Sequence, residues 1–336
     1  MTPTGERTDV VIVGAGPAGL AAAIAASQAG LDYEVIEKGL LVNSICHFPP
    51  GMVFFTTPEL LEIGGLPFVS PYEKPTRAEA LRYYRRVADT HALRLSLGEA
   101  VRAIRPEPGG AGPAFRLDTH GAHGSRLRLT RAVIVATGYY DHPNRLGVPG
   151  EDLPHVQHYY GEAHALYRRR VVIVGGKNSA AIAALEAFRA GAASVTLVHR
   201  RETLSDSVKY WVRPDIDNRI REGKVAARFS SRVVEIRRDD VLIEGPQGRE
   251  TLPADAVLLL TGYRPDVELL RGAGVRIDPG TLKPEHDPQT LETNVPGLFV
   301  AGSVSAGHET NRIFIETGRF HGEAAVRALL RRLGRD

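Results

Sequence analysis

A glycine-rich turn near the start of the chain is the first group of residues suited to chemistry. Gly14, Gly16 and Gly19 follow the apolar run at 9–13, whose β-branched residues predict a buried parallel strand. In this pattern the first glycine permits a tight turn, the second admits a pyrophosphate, and the third lets a helix pack closely. Glu37 ends the next predicted strand, where a carboxylate can accept hydrogen bonds from a ribose diol. These residues predict a dinucleotide site.

A second glycine-rich turn lies in the middle of the chain and is followed by different chemistry. Gly175 comes after the strand-like run at 170–174, and Ala180 stands where a third glycine would be. The next predicted strand ends in His199-Arg200-Arg201 rather than in an acid. Guanidinium groups attract a 2′-phosphate through charge-assisted hydrogen bonds, whereas a carboxylate repels it. We therefore expect this site to prefer NADPH to NADH, with a solvated basic pair as the alternative interpretation.

Cys46 is the one cysteine of the chain, so neither an internal disulfide nor a dithiol pair can form. It follows Glu37 by nine residues, in the loop that leaves the second predicted strand. A single thiol can form a mixed disulfide with a small thiol, provided that a positive neighbour favours the thiolate. His47 is adjacent in sequence. Cys46 is the candidate catalytic residue, and an inert buried cysteine is the alternative.

The elements around the two turns form an internal repeat. Strand, helix and strand are predicted at 9–13, 20–29 and 33–37, and again at 170–174, 181–190 and 194–198. Two such units predict an α/β protein with two Rossmann-like, three-layer nucleotide-binding domains. The positions of the remaining elements imply that the second domain is inserted into the first.

Several further elements complete the predicted domains. A capping box of Thr76 and Glu79 favours a helix over 76–91, and short strand-like stretches over 98–129 predict a β-meander. Buried strands are predicted before the Ala136-Thr137-Gly138 turn and before its counterpart, Leu260-Thr261-Gly262. One more strand is predicted over 297–302, and a final helix over 315–333.

Together these features resemble the FAD/NAD(P) disulfide-reductase superfamily in its thioredoxin-reductase-like layout. The amino-acid sequence is similar to that of the bacillithiol disulfide reductases in segments 35–38, 42–45, 55–64, 74–80, 136–141, 175–180 and 314–322. The resemblance implies an FAD domain from residues 1–165 and 276–336 and an NADPH domain from residues 166–275. The implied reaction is NADPH-dependent reduction of the disulfide of a low-molecular-weight thiol.

The two turns and the resemblance together predict the cofactor contacts. For FAD the expected residues are Gly14, Gly16, Pro17, Ala18, Gly19, Glu37, Lys38, Ser44, Thr137, Gly138, Gly302, Ile315 and Glu316. For NADPH they are Gly175, Lys177, Asn178, Ser179, His199, Arg200, Arg201 and Gly262. In folds of this kind the start of the last helix points at the flavin, where its dipole stabilises negative charge.

Departures from the resemblance bear on the reaction. Segment 158–164 lacks the Cys-x-x-Cys pair of thioredoxin reductase, and Ser303 replaces an aspartate usual in the superfamily. Related reductases often carry the thiol-reactive cysteine within the first glycine turn, where this chain has Ala18. Ferredoxin–NADP reductases of this fold also lack the cysteine pair. Reduction of ferredoxin or another small redox protein, and a flavin-bound sensor without turnover, are therefore alternatives.

Composition excludes several other classes of function. The chain has 336 residues and a net charge of +3, without a basic stripe that carries interleaved aromatics, so nucleic-acid binding is not expected. No apolar run approaches the ~18 residues of a membrane span. Residues 1–9 lack the apolar core of a signal peptide, and no His and carboxylate spacing indicates a metal site. We expect a cytoplasmic homo-oligomer.

Overall fold

The computed structural model describes residues 7–107, 114–309 and 312–335. Two compact units divide the chain, the first from residues 1–142 and 263–336 and the second from residues 143–262. The polar start at 1–6 and part of the predicted meander at 108–113 lie outside the described residues.

The first unit is built on a parallel sheet extended by an antiparallel meander. Its elements up to the first crossing are β1 (Thr8–Val13), α1 (Pro17–Gln28), β2 (Tyr33–Glu37), α2 (Asn43–Cys46), α3 (Arg77–Thr90), β3 (Leu95–Leu97), β4 (Glu99–Pro106), β5 (Phe115–Gly121) and β6 (Gly124–Val135). The strand order is β3-β2-β1-β6-β5-β4. The sequence separates the meander from the strand at 131–138, but β6 is one continuous strand. Its first half pairs with β5, and its second half pairs with β1.

The second unit repeats the parallel arrangement. Its elements are β7 (His142–Pro143) at the crossing, β8 (Val156–Gln157), β9 (Arg170–Val174), α4 (Asn178–Arg189), β10 (Ser194–Val198), α5 (Arg213–Arg221), β11 (Ala226–Arg228), β12 (Arg232–Ile236), β13 (Asp240–Gly245), β14 (Gly248–Pro253) and β15 (Ala256–Leu259). Five strands form the sheet β11-β10-β9-β15-β8, and β12-β13-β14 form a second, antiparallel sheet.

The chain then returns to the first unit. The returning elements are β16 (Tyr263–Arg264), α6 (Glu268–Gly272), β17 (Leu298–Val300), α7 (Ile315–Gly318) and α8 (His321–Leu333). The predicted single helix over 315–333 is wrong, because α7 ends at Gly318 and α8 begins at His321. The break contains Arg319, whose guanidinium donates to the carbonyls of Glu59 and Glu62 at 2.8 and 2.7 Å.

The unit boundaries differ from the predicted 165/166 and 275/276 positions. At the first crossing, β8 pairs with β15 in the second sheet, although its two residues carry no strong strand signal. At the second crossing, Leu270 and Val275 are buried in a core of the first unit. The chain therefore passes between the two units earlier, at both boundaries, than the sequence indicates.

Both parallel sheets are covered on two faces. Along β1, Val10 and Ile12 enter a core with α1, α3 and α8, whereas Val11 and Val13 enter a second core with β4, β5 and α6. The side chains of β9 alternate between two cores in the same way. This alternation confirms the three-layer arrangement expected of parallel strands buried on both faces. No helix among the described residues is long and apolar enough to span a membrane.

Candidate functional site

The first glycine turn leaves open space where the sequence predicts a pyrophosphate. Gly14 has φ +107°, and a Cβ there would lie 2.6 Å from the carbonyl oxygen of Ala136. A Cβ on Gly19 would lie 1.9 Å from the Gly14 carbonyl oxygen, whereas one on Gly16 would meet nothing within 4 Å. Helix α1 then begins at Pro17 with no side-chain cap and no acid in its first turn. Its free N–H groups and positive dipole end suit an anion.

Glu37 lies against the same turn. The residue is 7% exposed, and its carboxylate accepts the N–H groups of Ala15 at 2.9 Å and Gly39 at 2.8 Å. A carboxylate has about four acceptor positions, so two remain for ribose hydroxyls. The arrangement fits the predicted ribose contact.

Two other segments approach this turn. Thr137 follows β6, and its hydroxyl is buried without a hydrogen-bond partner among the described residues. Gly302 follows β17, and a Cβ on it would lie 2.8 Å from the Cβ of Ala18. Gly318, at the end of α7, packs closely against Gly302, since its Cβ would lie 3.2 Å from Gly302 Cα. A buried hydroxyl without a partner fits a site that holds a polar cofactor.

The remaining predicted FAD contacts are more peripheral. Lys38 forms a surface ion pair with Asp141 at 2.8 Å. Ser44 is half-buried in α2, and the start of this helix is joined to the turn by the Val42 N–H, which donates to the Ala15 carbonyl at 3.0 Å. Ile315 and Glu316 begin α7, which has only four residues.

His321 has a role that the sequence does not reveal. Its Nδ1 accepts the N–H of Gly302 at 3.2 Å. Burial, together with the nearby His286, lowers the pKa of His321 and so favours the neutral ring that this bond requires. The imidazole therefore holds the backbone at Gly302. Among the described residues, no group of three or more His, Cys, Asp or Glu side chains could hold a metal ion.

Cys46 ends α2 and is half-buried. Its charged neighbour Arg77 donates to the backbone carbonyls of Ile45, at 3.0 Å, and of Cys46 itself. The His47 ring forms a 2.8 Å hydrogen bond with the carbonyl of Asn43. Both neighbours thus contact backbone oxygens, and the structure shows no hydrogen bond between the thiol and another described residue.

Aromatic side chains link the Cys46 segment to the end of β6. The Tyr140 hydroxyl donates to the His47 carbonyl at 3.3 Å. Its ring lies 4.9 Å from that of Phe48, edge to face, and 4.6 Å from that of Tyr263. Partial burial raises the pKa of the neighbouring Tyr139. These contacts hold the Cys46 segment beside the Thr137-Gly138 turn.

The second glycine turn is covered by an imidazole. A Cβ on Gly176 would lie 2.2 Å from the His199 ring, so only glycine fits beneath it. Burial, with the charges of Arg200 and Arg201, lowers the pKa of His199. Its Nε2 is buried without a partner among the described residues. Ala180 is fully packed at 1% exposure, so alanine is accommodated at the third position of the turn.

Arg200 and Arg201 follow β10 and are exposed. Neither forms an ion pair with a carboxylate in the described part of the chain. By contrast, Arg228 on the adjacent strand β11 is held by Glu250 through bonds of 2.7 and 2.8 Å. Two uncompensated guanidinium groups at this position fit the predicted 2′-phosphate contact.

The other predicted NADPH contacts lie around the start of α4 and the end of β15. Lys177 and Ser179 are exposed there, whereas the Asn178 side chain binds the backbone of Ser207 and Lys209, at 3.1 and 2.9 Å. After β15, Gly262 has φ +88°.

Asn144 fixes the segment that leads to Gly262, and no sequence pattern indicates this role. Its backbone carbonyl accepts from the Thr261 hydroxyl at 2.5 Å. Its side-chain amide donates to the Thr261 carbonyl at 3.3 Å. A Cβ on Gly262 would lie 3.4 Å from this amide nitrogen.

Comparisons with known proteins agree with this arrangement. The family model for pyridine nucleotide-disulphide oxidoreductases matches residues 11–302. Bacilliredoxin reductase Bdr of Bacillus subtilis is 42% identical over 313 residues, or 93% of this chain and 94% of that protein. A ferredoxin–NADP reductase of Thermus thermophilus is 30% identical over 312 residues, or 89% and 85% of the two chains.

Solved structures show the same fold. The bacillithiol disulfide reductase Bdr of Bacillus cereus has a TM-score of 0.93 and 39% identity, with 97% of this chain and 100% of that chain covered. The thioredoxin reductase of T. acidophilum has a TM-score of 0.72 at 23% identity, covering 97% and 98%, and supports the fold alone. The α/β class with Rossmann-type domains is therefore confirmed. This chain belongs to the pyridine nucleotide-disulphide oxidoreductase family, and it is an oxidoreductase of the flavoprotein type that binds FAD and uses NADPH.

Proposed function

We propose that this protein uses NADPH to reduce a low-molecular-weight disulfide of the bacillithiol type. The observation that carries the proposal is the contrast between the two glycine turns, one beside the buried Glu37 and the other beside Arg200 and Arg201. This contrast supports one site for a dinucleotide without a 2′-phosphate and one for NADPH. The substrate class rests on the Bacillus cereus relative, which is named a bacillithiol disulfide reductase.

The residues of the chain contribute binding and orientation. The open position at Gly16 admits the FAD pyrophosphate, and Glu37 accepts hydrogen bonds from its ribose. Arg200 and Arg201 hold the 2′-phosphate of NADPH. The flavin supplies the chemistry, because it can accept a hydride from NADPH and pass two electrons onward. In balance, NADPH, one proton and one disulfide give NADP⁺ and two thiols.

Two routes to the disulfide are open in this chain. Ala18 occupies the position where related reductases often carry a cysteine, so Cys46 is the one residue that could start thiol–disulfide exchange. In that route the Cys46 sulfur bonds to one half of the substrate, the other half leaves as a thiol, and two electrons from the flavin release the first half. The other route would need no protein thiol, because a bound flavin would supply both electrons to the disulfide directly.

A small redox protein is the second candidate acceptor. The Bacillus subtilis relative is named a bacilliredoxin reductase, and the Thermus thermophilus relative a ferredoxin–NADP reductase. Direct electron transfer to such a partner requires no cysteine in this chain.

Steady-state oxidation of NADPH separates these acceptors. The purified holoenzyme would be assayed with bacillithiol disulfide, with a bacilliredoxin in its disulfide form, and with oxidised ferredoxin. We expect turnover with the small disulfide alone. Turnover that requires bacilliredoxin or ferredoxin would indicate that a small redox protein is the electron acceptor. No turnover with any acceptor would indicate a flavin-bound sensor.

We also propose that the protein forms a homo-oligomer and works in the cytoplasm. Large apolar side chains on the first unit support self-association, since Val69 is 84%, Tyr72 62% and Phe320 56% exposed. The absence of a cysteine pair fits a reducing compartment. Light scattering during size-exclusion chromatography would give at least twice the chain mass of 36.5 kDa if the first proposal holds, and 36.5 kDa itself would contradict it.

A further inference from the structure

The segment between β10 and α5 carries exposed aromatic side chains, and we call residues 202–212 the aromatic loop. The Asn178 side chain, in the first turn of α4, holds this loop at two points. Its amide donates to the Ser207 carbonyl at 3.1 Å, and its oxygen accepts the Lys209 N–H at 2.9 Å. The loop is therefore attached directly to the helix whose start is predicted to face the nucleotide phosphates.

The aromatic loop is also fixed to the second glycine turn and to the core of the second unit. The Ser205 N–H donates to the carbonyl of Gly176, within the second glycine turn, at 2.9 Å. Leu204, Val208 and Val212 are 2%, 5% and 8% exposed and belong to the core of the second unit. A segment with buried side chains at this spacing and with backbone bonds to its neighbour has little freedom to move away.

Two aromatic rings extend from this fixed base. Tyr210 is 80% and Trp211 39% exposed, and their rings lie edge to face with centroids 4.8 Å apart. The ammonium group of Lys209 lies 5.9 Å from the Trp211 ring. The loop thus combines flat apolar surface with a positive charge, which are the features that a nucleotide base and its phosphates recognise.

The position of the aromatic loop selects one end of the nucleotide. The loop continues directly from Arg201, and the predicted contact of that residue is the 2′-phosphate on the adenosine ribose. It also lies at the carboxyl end of β10, the edge at which open parallel sheets bind their ligands. The adenine ring is attached to the same ribose as the 2′-phosphate, so it is the part of NADPH that lies nearest to the loop.

We propose that Trp211, supported by Tyr210 and Lys209, forms a stacking platform for the adenine ring of NADPH. This inference rests on the proposed role of Arg200 and Arg201, and it adds a contact to the adenine ring that the glycine turn does not provide. The platform accounts for the exposure of large aromatic side chains on an anchored loop.

Trp211 is the one tryptophan of the chain, so its fluorescence reports on this loop alone. The holoenzyme would be titrated with NADP⁺, with adenosine 2′,5′-bisphosphate and with nicotinamide mononucleotide. None of these absorbs where tryptophan emits, so quenching does not arise from energy transfer to the ligand. We expect quenching by NADP⁺ and by the bisphosphate, and none by the mononucleotide. Quenching by the mononucleotide alone would place the nicotinamide half at the loop and overturn the proposal.

Kinetics of matched variants give an independent readout. Trp211→Leu should raise the KM for NADPH about tenfold, equivalent to about 1.4 kcal/mol of lost stacking, with little change in kcat. Trp211→Phe should stay within about threefold of the unaltered enzyme, because an aromatic face is retained. Tyr167→Leu is the matched control. Tyr167 is also exposed, at 52%, but it precedes β9 and so lies at the opposite edge of the sheet.

The outcomes separate this inference from the proposed function. An unchanged KM for NADPH in Trp211→Leu would refute the platform and leave the NADPH-dependent activity intact. A raised KM for a protein acceptor with an unchanged KM for NADPH would also refute it, because the aromatic pair would then contact the acceptor. Failure of NADPH to reduce the flavin of the unaltered enzyme would instead refute the proposed function.

Discussion

The side chains at the ends of two equivalent strands differ in charge and in burial. Glu37 ends β2 with a buried carboxylate, whereas β10 is followed by exposed Arg200 and Arg201. The backbone pattern before both positions is the same, from parallel strand to glycine turn to helix. We propose that nucleotide selectivity rests on the charge at the strand end, and the sequence shows that charge directly.

Replacement of Glu37 by Gln should weaken FAD binding by about 1–2 kcal/mol, because one backbone N–H and the ribose lose a charged acceptor. The ratio of flavin to protein absorbance after gel filtration measures the loss. Glu34→Gln is the matched control, since Glu34 also lies on β2 but binds Ser96 and Arg128 at 2.7 and 3.3 Å. Equal flavin loss in both variants would argue against a specific ribose contact at Glu37.

Replacement of Arg200 and Arg201 by Ala should weaken NADPH by about 2–4 kcal/mol and leave NADH almost unchanged, because only NADPH carries the 2′-phosphate. The KM values for both nucleotides give this comparison. The same change at Arg168 and Arg169, which precede β9, should have no effect on either. A similar loss for both nucleotides would remove the 2′-phosphate assignment.

Replacement of Cys46 by Ser should leave both flavin reduction and disulfide reduction at the unaltered rate. We expect this because Arg77 and His47 contact backbone carbonyls in this segment rather than the thiol. Stopped-flow measurement of flavin reduction, followed by a disulfide turnover assay, separates the two steps. Loss of disulfide reduction with intact flavin reduction would assign the attack on the substrate to Cys46. A mixed disulfide on Cys46 in mass spectra of the unaltered enzyme would support that assignment.

At the level of secondary-structure elements, the sequence predicts the repeated units and the helix cap. It does not predict the tertiary contacts. The capping box of Thr76 and Glu79 is present as predicted, and both glycine turns lie between a parallel strand and a helix. The break between α7 and α8 is not evident from the sequence, because it depends on Arg319, whose hydrogen bonds reach carbonyls far away in the chain. His321 and Asn144 were missed as positioning residues for the same reason.

The contact between α8 and α1 leads to a prediction at this scale. A Cβ on Gly322 would lie 2.4 Å from the backbone nitrogen of Ala22, so Gly322→Ala should lower the free energy of unfolding by about 1–3 kcal/mol. Gly272→Ala in α6 is the matched control, because nothing lies within 4 Å of its Cβ position. That change should be neutral or stabilising by up to about 1 kcal/mol. Thermal unfolding measures both, and a stable Gly322→Ala variant would contradict the close packing.

At the scale of the whole molecule, the insertion was predictable and its boundaries were not. The repeat of strand, turn, helix and strand implies two nucleotide units, and the return of a buried strand at β17 implies that the second interrupts the first. The chain passes between the units near residues 142 and 263. Strand β8 belongs to the second unit because it pairs with β15, and the segment around Leu270 belongs to the first unit because it is buried in a core there. Pairing and burial between residues that are distant in sequence produce little signal in local sequence patterns.

In the proposed reaction, electrons pass from NADPH to FAD and then to a small disulfide. Anaerobic titration of the purified holoenzyme tests it most directly, because the flavin absorbance reports both steps in one cuvette. We expect stoichiometric NADPH to bleach the flavin, NADH to bleach it far more slowly, and bacillithiol disulfide to restore the colour. A flavin that NADPH does not bleach, or whose colour returns with ferredoxin or bacilliredoxin but not with the small disulfide, would contradict the account.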